Sequence, residues 1–162
     1  MSNVRFEWIK RPVIRDGTHI TQAYVWYLTN DKKVVLVSKD NLNWQLPGGA
    51  PKEEEKAKEA AIRELAEETG IKIKKLDDLK FLGCYRANDE NTNTSKVQAR
   101  YYIQSDIPSG KLKLSSASEA SDQPQADKIR YTKVVSIAEA KKMIPWLESS
   151  GEFRALTKLR VL

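Results

Sequence analysis

Residues 49–71 read GAPKEEEKAKEAAIRELAEETGI, and this stretch decides the fold of the region around it. Good helix formers dominate residues 55–69, and Gly70 follows them as a residue that readily ends a helix in the left-handed conformation. At about 100° per residue, three glutamates fall within about one third of the helix circumference: Glu64, Glu67 and Glu68. The apolar side chains gather on a different side: Ala61, Ile62, Leu65 and Ala66. The stretch therefore predicts a helix with one packed face and one acidic face.

The acidic face needs a positively charged partner. Glu64 and Glu68 have the i, i+4 spacing at which two like charges destabilise a helix by about 0.2–0.5 kcal/mol. Residues 53–68 carry seven glutamates against three basic residues, a local net charge of 3 − 7 = −4 in a chain of +6. Carboxylate oxygens converging from one face suit Mg²⁺, and no cluster of histidine or cysteine favours zinc. The alternative is an acidic face that is simply solvated.

The fixed positions of the stretch follow the pattern G-x5-E-x7-R-E-U-x-E-E-x-G-U, in which U is apolar. At about 7% usage per residue type, its seven fixed identities would recur by chance about once in 10⁸ starting positions. The stretch resembles the Nudix box, and the chain resembles a Nudix hydrolase. That resemblance implies an α+β fold, an α/β/α sandwich with a mixed β-sheet, and we expect one such domain over residues 1–162.

The resemblance also implies a reaction and a set of site residues. Nudix hydrolases cleave a nucleoside diphosphate linked to another group by water attack on phosphorus, with a divalent metal, here Mg²⁺ or Mn²⁺. The implied metal ligands are carboxylates and a backbone carbonyl of a glycine pair: Glu64, Glu67, Glu68 and either Gly48 or Gly49. The implied catalytic set adds Glu55 and Arg63 as an orienting pair. Arg63 can reach Glu55 or Glu64 with a charge-assisted hydrogen bond that fixes a glutamate rotamer.

Two parts of this assignment stay open. A box glutamate or a carboxylate from a later loop could act as the base, and the loop candidates are Glu119, Asp122 and Asp127. Family members usually carry glycine immediately before the first box glutamate, where this chain has Glu54. The loop geometry at that point is therefore open, and Glu54 is expected to be a surface charge or to interact with the helix dipole.

Large aromatic residues are the candidates for stacking on a nucleotide base: Trp44, Tyr24, Trp26 and Tyr102. Each also fits a place in the core, because large aromatics are usually well buried. Family members that hydrolyse ADP-ribose tend to carry a proline some way beyond the box. None lies between Pro51 and Pro108 here, so the resemblance argues against ADP-ribose as the substrate. The sequence leaves the particular substrate open.

The rest of the chain predicts strands before the box and both strands and helices after it. Strands over residues 4–9, 20–28 and 34–38, with a turn at 15–18, are read as a meander that leads into the box. Strands over residues 81–87 and 97–104 predict a hairpin with a long loop, and residues 115–127 predict a second loop. A strand over residues 129–135 precedes two helices, one from Ser136 to Ile144 with a capping box at Glu139, and one over residues 152–160 with Ser149 before it.

Composition limits the remaining classes. With 40% hydrophobic residues, 31% charged residues and no apolar run of about 20 residues, we expect a cytoplasmic protein without a membrane span. Cys84 is the only cysteine, so a disulfide within the chain is excluded and a buried thiol is expected. The charge of +6 fits an anionic small-molecule substrate and leaves nucleic acid possible as a partner. Oligomeric state, including a homodimer, stays open.

Two other functions fit the same scaffold. One is a non-catalytic module that binds a nucleotide or RNA, although such proteins usually lose box glutamates that this chain keeps. The other is an isoprenyl diphosphate isomerase, which requires a catalytic cysteine before the box, whereas Cys84 follows it.

Overall fold

A computed structural model describes residues 3–10, 19–115 and 128–162. Its strands form one mixed sheet: β1 (Val4–Ile9), β2 (Ile20–Leu28), β3 (Lys33–Ser38), β4 (Trp44–Gln45), β5 (Gly48–Gly49), β6 (Lys80–Asp89), β7 (Thr94–Gln104) and β8 (Tyr131–Ser136). The strand order is β1-β6-β7-β2-β3-β4, with β5 paired to β2 and β8 paired to β3. The turn predicted at residues 15–18 lies outside the described residues.

The predicted meander is wrong for the first strand. β1 pairs antiparallel with β6, and β2 pairs in parallel with β7 and antiparallel with β3. Alternating side chains identify a strand from the sequence, but they do not identify the strand that lies beside it. The predicted β6–β7 hairpin is present, but the long loop is not, because both strands continue into the polar segment and leave only residues 90–93 as a turn.

The helix of the box, α1, spans Ala57–Thr69, two residues shorter at its start than predicted. Gly70 ends it in the left-handed conformation with φ 77°, and its N–H bonds to the carbonyl of Ala66. Leu65 is fully buried and Ile71 is nearly so, in a cluster that also contains Val25 and Tyr101 of the sheet. The apolar side of α1 therefore covers one face of the sheet, as predicted.

Two short helices cover the other face, α2 (Ile137–Met143) and α3 (Gly151–Lys158). α2 begins with the predicted capping box, in which Ser136 Oγ accepts from the N–H of Glu139 and the Glu139 carboxylate accepts from the N–H of Ser136. α3 is capped by Ser150 rather than by Ser149, because Ser150 Oγ accepts from the N–H of Phe153. The result is the predicted three-layer α/β/α arrangement. None of the helices in the described ranges is long and apolar enough to cross a membrane.

Candidate active site

A glycine pair brings the backbone of β5 against the acidic face of α1. The N–H of Gly48 donates to Oε2 of Glu68 at 3.0 Å. A Cβ on Gly49 would lie 2.7 Å from Cδ of Glu64, and a Cβ on Gly48 would lie 2.2 Å from the carbonyl oxygen of Ala23. Real side chains do not tolerate such distances, so only glycine permits this approach at both positions.

Arg63 joins the start of the box to its acidic face. Its Nε and Nη2 both donate to the carboxylate of Glu55, each at 2.9 Å. Its Nη1 donates to Glu64 Oε1 at 2.9 Å and to Glu67 Oε2 at 3.2 Å. These hydrogen bonds lower the pKa of Glu55 and raise the pKa of Arg63. The contacts predicted for Arg63 with Glu55 and Glu64 are thus present, and Glu67 is a further partner.

Two of the box carboxylates are buried. The side chains of Glu64 and Glu68 are 3% and 7% exposed. Burial raises the pKa of Glu64, and burial together with the nearby Glu64 and Glu67 raises the pKa of Glu68 well above its usual value. Oε2 of Glu64 is buried and has no hydrogen-bond partner. Arg63 Nη1 bonds Oε1 of Glu64, so Oε2 of that side chain is the oxygen left without a partner.

The donor set fits a hard divalent cation, but the site is not arranged around one. Across residues 3–10, 19–115 and 128–162, no group of three His, Cys, Asp or Glu side chains is placed to hold a metal ion. Arg63 Nη1 explains this, because it draws one oxygen of Glu64 and one of Glu67 toward itself. The unpartnered Oε2 of Glu64 and the buried carboxylate of Glu68 are the oxygens that a cation would stabilise most.

A cavity of about 770 Å³ lies on the sheet face that α3 covers. Six aromatic side chains line it: Phe6, Trp8, Tyr24, Trp44, Tyr85 and Trp146. Two of the residues predicted to stack on a base, Tyr24 and Trp44, are among them. Tyr24 also pairs with Gly48 in the sheet, so the cavity adjoins the acidic cluster.

The other two aromatic candidates do not line this cavity. Trp26 is fully buried, and its Nε1 donates to Glu152 Oε2 at 2.7 Å, so its ring cannot stack on a base in this structure. Tyr102 is half-buried and packs against the core cluster that contains Trp26. Tyr24 and Trp26 share a sheet face, but Trp26 belongs to the cluster that α2 and α3 bury, whereas Tyr24 borders the cavity. The assignment of Trp26 is corrected accordingly.

The sequence analysis missed a buried ion pair beside the cavity. Arg100 Nε donates to Glu152 Oε2 at 3.0 Å, and the two side chains are 8% and 0% exposed. The guanidinium carbon lies 4.5 Å from the ring centroid of Tyr24 and 5.1 Å from that of Tyr85. An arginine inside the β-rich run VQARYYIQ was the available signal, because a charge within a buried strand needs a partner.

The remaining candidates fall in three places. The loop carboxylates Glu119, Asp122 and Asp127 lie outside the described residues. Cys84 is a free, buried thiol in β6 whose pKa is raised by burial, which agrees with a structural role. Glu54 is exposed and adopts a left-handed conformation with φ 63°.

Comparison with known proteins identifies the family. The model of the Nudix domain matches residues 18–154. The chain belongs to the Nudix domain family. The resemblance carried by the box and the expectation of a Nudix-type hydrolase are thereby confirmed. A search of the curated proteins finds no significant match.

Solved structures of Nudix proteins share the fold. The pyrophosphohydrolase BsRppH of Bacillus subtilis aligns with 20% identity and a TM-score of 0.63, over 96% of this chain and 89% of that one. An Ap4A hydrolase of C. elegans aligns with 19% identity and a TM-score of 0.58, over 87% and 97%. A bifunctional NMN adenylyltransferase/ADP ribose pyrophosphatase of Francisella tularensis, complexed with AMP and a manganese ion, aligns with 18% identity and a TM-score of 0.57, over 89% and 42%. The predicted α+β architecture is confirmed.

Proposed function

We propose that this Nudix-type hydrolase uses Mg²⁺ or Mn²⁺ to cleave a pyrophosphate linkage in a nucleoside diphosphate joined to another group. The observation that carries the proposal is the pair of buried carboxylates, Glu64 and Glu68, which lie against Gly48 and Gly49 and leave Oε2 of Glu64 without a hydrogen-bond partner. The three structural relatives named above are a pyrophosphohydrolase, an Ap4A hydrolase and an enzyme with ADP ribose pyrophosphatase activity. Each acts on a phosphoanhydride, which supports the same class of bond here.

Glu64, Glu67 and Glu68 would hold the metal, with a carbonyl of Gly48 or Gly49 as a further ligand. Bound there, the metal would neutralise charge on phosphate oxygens and lower the pKa of a bound water. The protein groups act by position. Arg63 fixes Glu55 and reaches one oxygen each of Glu64 and Glu67, whereas Gly48 fixes the rotamer of Glu68.

A box glutamate or one of Glu119, Asp122 and Asp127 would take the proton of the attacking water. Each of these carboxylates could accept that proton if the water lies within hydrogen-bond reach.

The proposal is tested by incubating the protein with a panel of nucleotides, dinucleotides and nucleotide sugars, in Mg²⁺ or Mn²⁺ and ¹⁸O water. We expect one phosphate-bearing product to carry ¹⁸O, which identifies both the substrate and the phosphorus that is attacked. Replacement of Glu67 or Glu68 by glutamine should lower kcat by orders of magnitude without unfolding the protein. Glu53→Gln, an exposed carboxylate outside α1, serves as the control and should retain activity.

Three results would count against the proposal or part of it. No turnover of any member of the panel would overturn the hydrolase assignment and favour a binding module instead. Wild-type activity in both glutamine variants would remove the metal assignment. Loss of turnover in Cys84→Ser with the fold intact would favour cysteine chemistry, which the burial of this thiol argues against.

A further inference from the structure

A row of side chains crosses the sheet from its edge to the acidic cluster. Trp8 of β1 lies beside Tyr85 of β6, with ring centroids 4.8 Å apart. The guanidinium of Arg100 on β7 lies between Tyr85 and Tyr24, and Tyr24 pairs with Gly48. The row forms one side of the cavity and ends at the backbone that bonds Glu68. A ligand that lies along the row therefore extends toward the glutamates that we propose to bind the metal.

Arg100 is held so that only the edge of its guanidinium is available. Its guanidinium carbon packs over the rings of Tyr24 and Tyr85. Nε bonds to Glu152, Nη1 donates to the carbonyl of Ala99 at 3.4 Å, and Nη2 donates to Gln98 Oε1 at 3.4 Å. A guanidinium has five N–H groups, so two remain after these three bonds. One N–H on Nη1 and one on Nη2 are thus left for a ligand.

The polar side chains around Arg100 also have mainly hydrogen-bond donors left for a ligand. Gln98 presents its oxygen to Arg100, which can only donate, and Gln22 presents its oxygen to the hydroxyl of Tyr24 at 3.0 Å. The NH₂ group of each amide is what remains for a ligand. No carboxylate is found among the cavity-lining residues in the described part of the chain. This end of the cavity therefore favours a ligand edge that carries acceptors.

The charge of Arg100 is already balanced by Glu152. A phosphate placed on this buried pair would add negative charge that Arg100 no longer balances, whereas a neutral carbonyl or ring nitrogen would not. Arg154, the other basic residue among the described residues of the cavity lining, lies on α3. Aromatic walls, among them Trp44 and the 52% exposed Trp146, favour a flat ligand. Arg100 is two strands from Gly48 in the sheet, or about 10 Å at the usual strand spacing. A ribose and its first phosphates span such a gap, which places the base at Arg100 and the phosphates at the carboxylates.

We infer that Arg100 is a specificity-determining residue and that this cavity takes a 6-oxopurine base, guanine or hypoxanthine, in preference to adenine. Guanine and hypoxanthine offer adjacent O6 and N7 acceptors, which arginine meets with two parallel N–H groups, whereas adenine offers N7 beside an N6 donor. The N6 amino group of adenine would face the donors of Arg100. The inference rests on the proposed function and names the substrate class for that site.

Binding of GMP, IMP and AMP in the presence of Mg²⁺, measured by calorimetry, tests the inference without requiring turnover. GMP and IMP should bind about 10- to 100-fold more tightly than AMP. Equal or tighter binding of AMP would overturn the inference. Binding of IMP as weak as that of AMP would also overturn it, because selectivity would then come from the 2-amino group of guanine rather than from O6 and N7.

The double variant Arg100→Gln/Glu152→Gln tests the residue itself. Removing Arg100 alone would leave Glu152 buried and unpaired, so both partners are changed to neutral amides. Glutamine can donate and accept, which matches N6 and N7 of adenine. The preference should therefore reverse toward AMP, a result that general damage to the cavity would not produce. Retention of the GMP preference in the folded double variant would overturn the assignment of Arg100.

Two single variants keep the test decisive if the double variant fails to fold. Arg100→Lys keeps a charge for Glu152 but loses the planar fork, so the ratio of GMP to AMP affinity should fall toward unity. Trp146→Ala is the control. It should lower the affinity for all three nucleotides by a similar factor, because any base can stack on an aromatic ring. An unchanged ratio in Arg100→Lys would contradict the inference.

The outcomes separate this inference from the proposed function. Cleavage of a base-matched substrate series without preference among guanine, hypoxanthine and adenine would overturn the role of Arg100 and leave the hydrolase assignment intact. Selective binding of GMP and IMP without cleavage of any phosphoanhydride would overturn the hydrolase assignment and leave the role of Arg100 intact.

Discussion

The backbone N–H of Gly48 donates a 3.0 Å hydrogen bond to Oε2 of Glu68, and it ties the loop before α1 to the last carboxylate of the acidic face. This bond favours the ionised carboxylate, but burial opposes it more strongly, so the pKa of Glu68 lies well above the usual value. One amide dipole does not replace the hydration that Glu68 loses on folding. The metal-free protein therefore carries an electrostatic cost at the position that the metal would stabilise.

Glu68→Gln should stabilise the protein in the absence of metal and should abolish the metal-dependent activity. Glutamine keeps an oxygen for the N–H of Gly48 and removes the buried charge. Because the pKa of Glu68 is higher in the folded state than in the unfolded state, wild-type stability falls as pH rises from about 4.3 toward the folded-state pKa. The gain in Tm should thus be small at pH 4 and larger at pH 8. For a chain of this size, a gain of about 1 kcal/mol in the free energy of unfolding raises Tm by about 2–4 °C.

Thermal unfolding of the metal-free variant in EDTA at the two pH values measures this difference. Glu53→Gln, which removes an exposed carboxylate, should show no such dependence on pH. Equal changes in Tm at pH 4 and pH 8 would contradict the raised pKa of Glu68.

Gly49→Ala should lower activity by displacing Glu64. The new Cβ would lie 2.7 Å from both Cδ and Oε1 of Glu64, so the carboxylate must move. A displacement of about 1 Å at a reacting centre can reduce the rate by about 100-fold, and we expect a loss of that size in kcat/KM. Gly110→Ala is the matched control, because a Cβ there meets no atom within 4 Å. Circular dichroism checks that both variants fold, and full activity in Gly49→Ala would show that the approach of β5 to Glu64 is unimportant.

The sequence predicts the part of the site that is formed by residues close to one another in the chain. Helical periodicity and Gly70 are sufficient for α1, and the spacing within the box places Arg63 near Glu55 and Glu64. These contacts span eight residues or fewer, within α1 and the turn immediately before it.

The cavity could not be predicted, because long-range strand pairing creates it. Arg100 and Glu152 are separated by 52 residues, and the pairing of β1 with β6 brings Trp8 to Tyr85. Strand periodicity gives the face on which a side chain lies but not the strands or helices that cover it. Tyr24 and Trp26 lie on one face for that reason, yet only Tyr24 borders the cavity.

Arg63→Lys should lower the affinity for the metal or the metal-dependent activity without unfolding the protein. Arginine holds Glu55 with two parallel hydrogen bonds and at the same time reaches Glu64 and Glu67. A lysine ammonium is a point charge that cannot hold this arrangement. Loss of residues that orient metal ligands typically costs about 10- to 100-fold in metal affinity or activity, and we expect a change in that range.

Titration of kcat/KM against Mg²⁺ concentration measures the effect of Arg63→Lys. Arg5→Lys provides the control, since Arg5 is exposed and lies far along the sheet on β1. A metal dependence in Arg63→Lys identical to that of the wild type would show that Arg63 does not orient the ligands.

Glu54→Gly should raise stability, because Glu54 occupies a backbone conformation that suits glycine. Its φ of 63° is left-handed, which costs an L-residue roughly 1–2 kcal/mol, and its exposed side chain makes no contact that would offset this cost in the described structure. Glycine is also the residue that family members usually carry there. After the greater flexibility of glycine in the unfolded chain is subtracted, we expect a gain of about 1 kcal/mol, or about 2–4 °C in Tm.

Glu53→Gly separates this local strain from a general effect of removing a glutamate near α1. Glu53 is also exposed, but its φ is not positive, so glycine there gains nothing in the folded state and adds freedom to the unfolded one. Its Tm should fall or stay unchanged while that of Glu54→Gly rises. Parallel shifts of Tm in the two variants would mean that charge removal, and not the left-handed backbone, controls the stability of this loop.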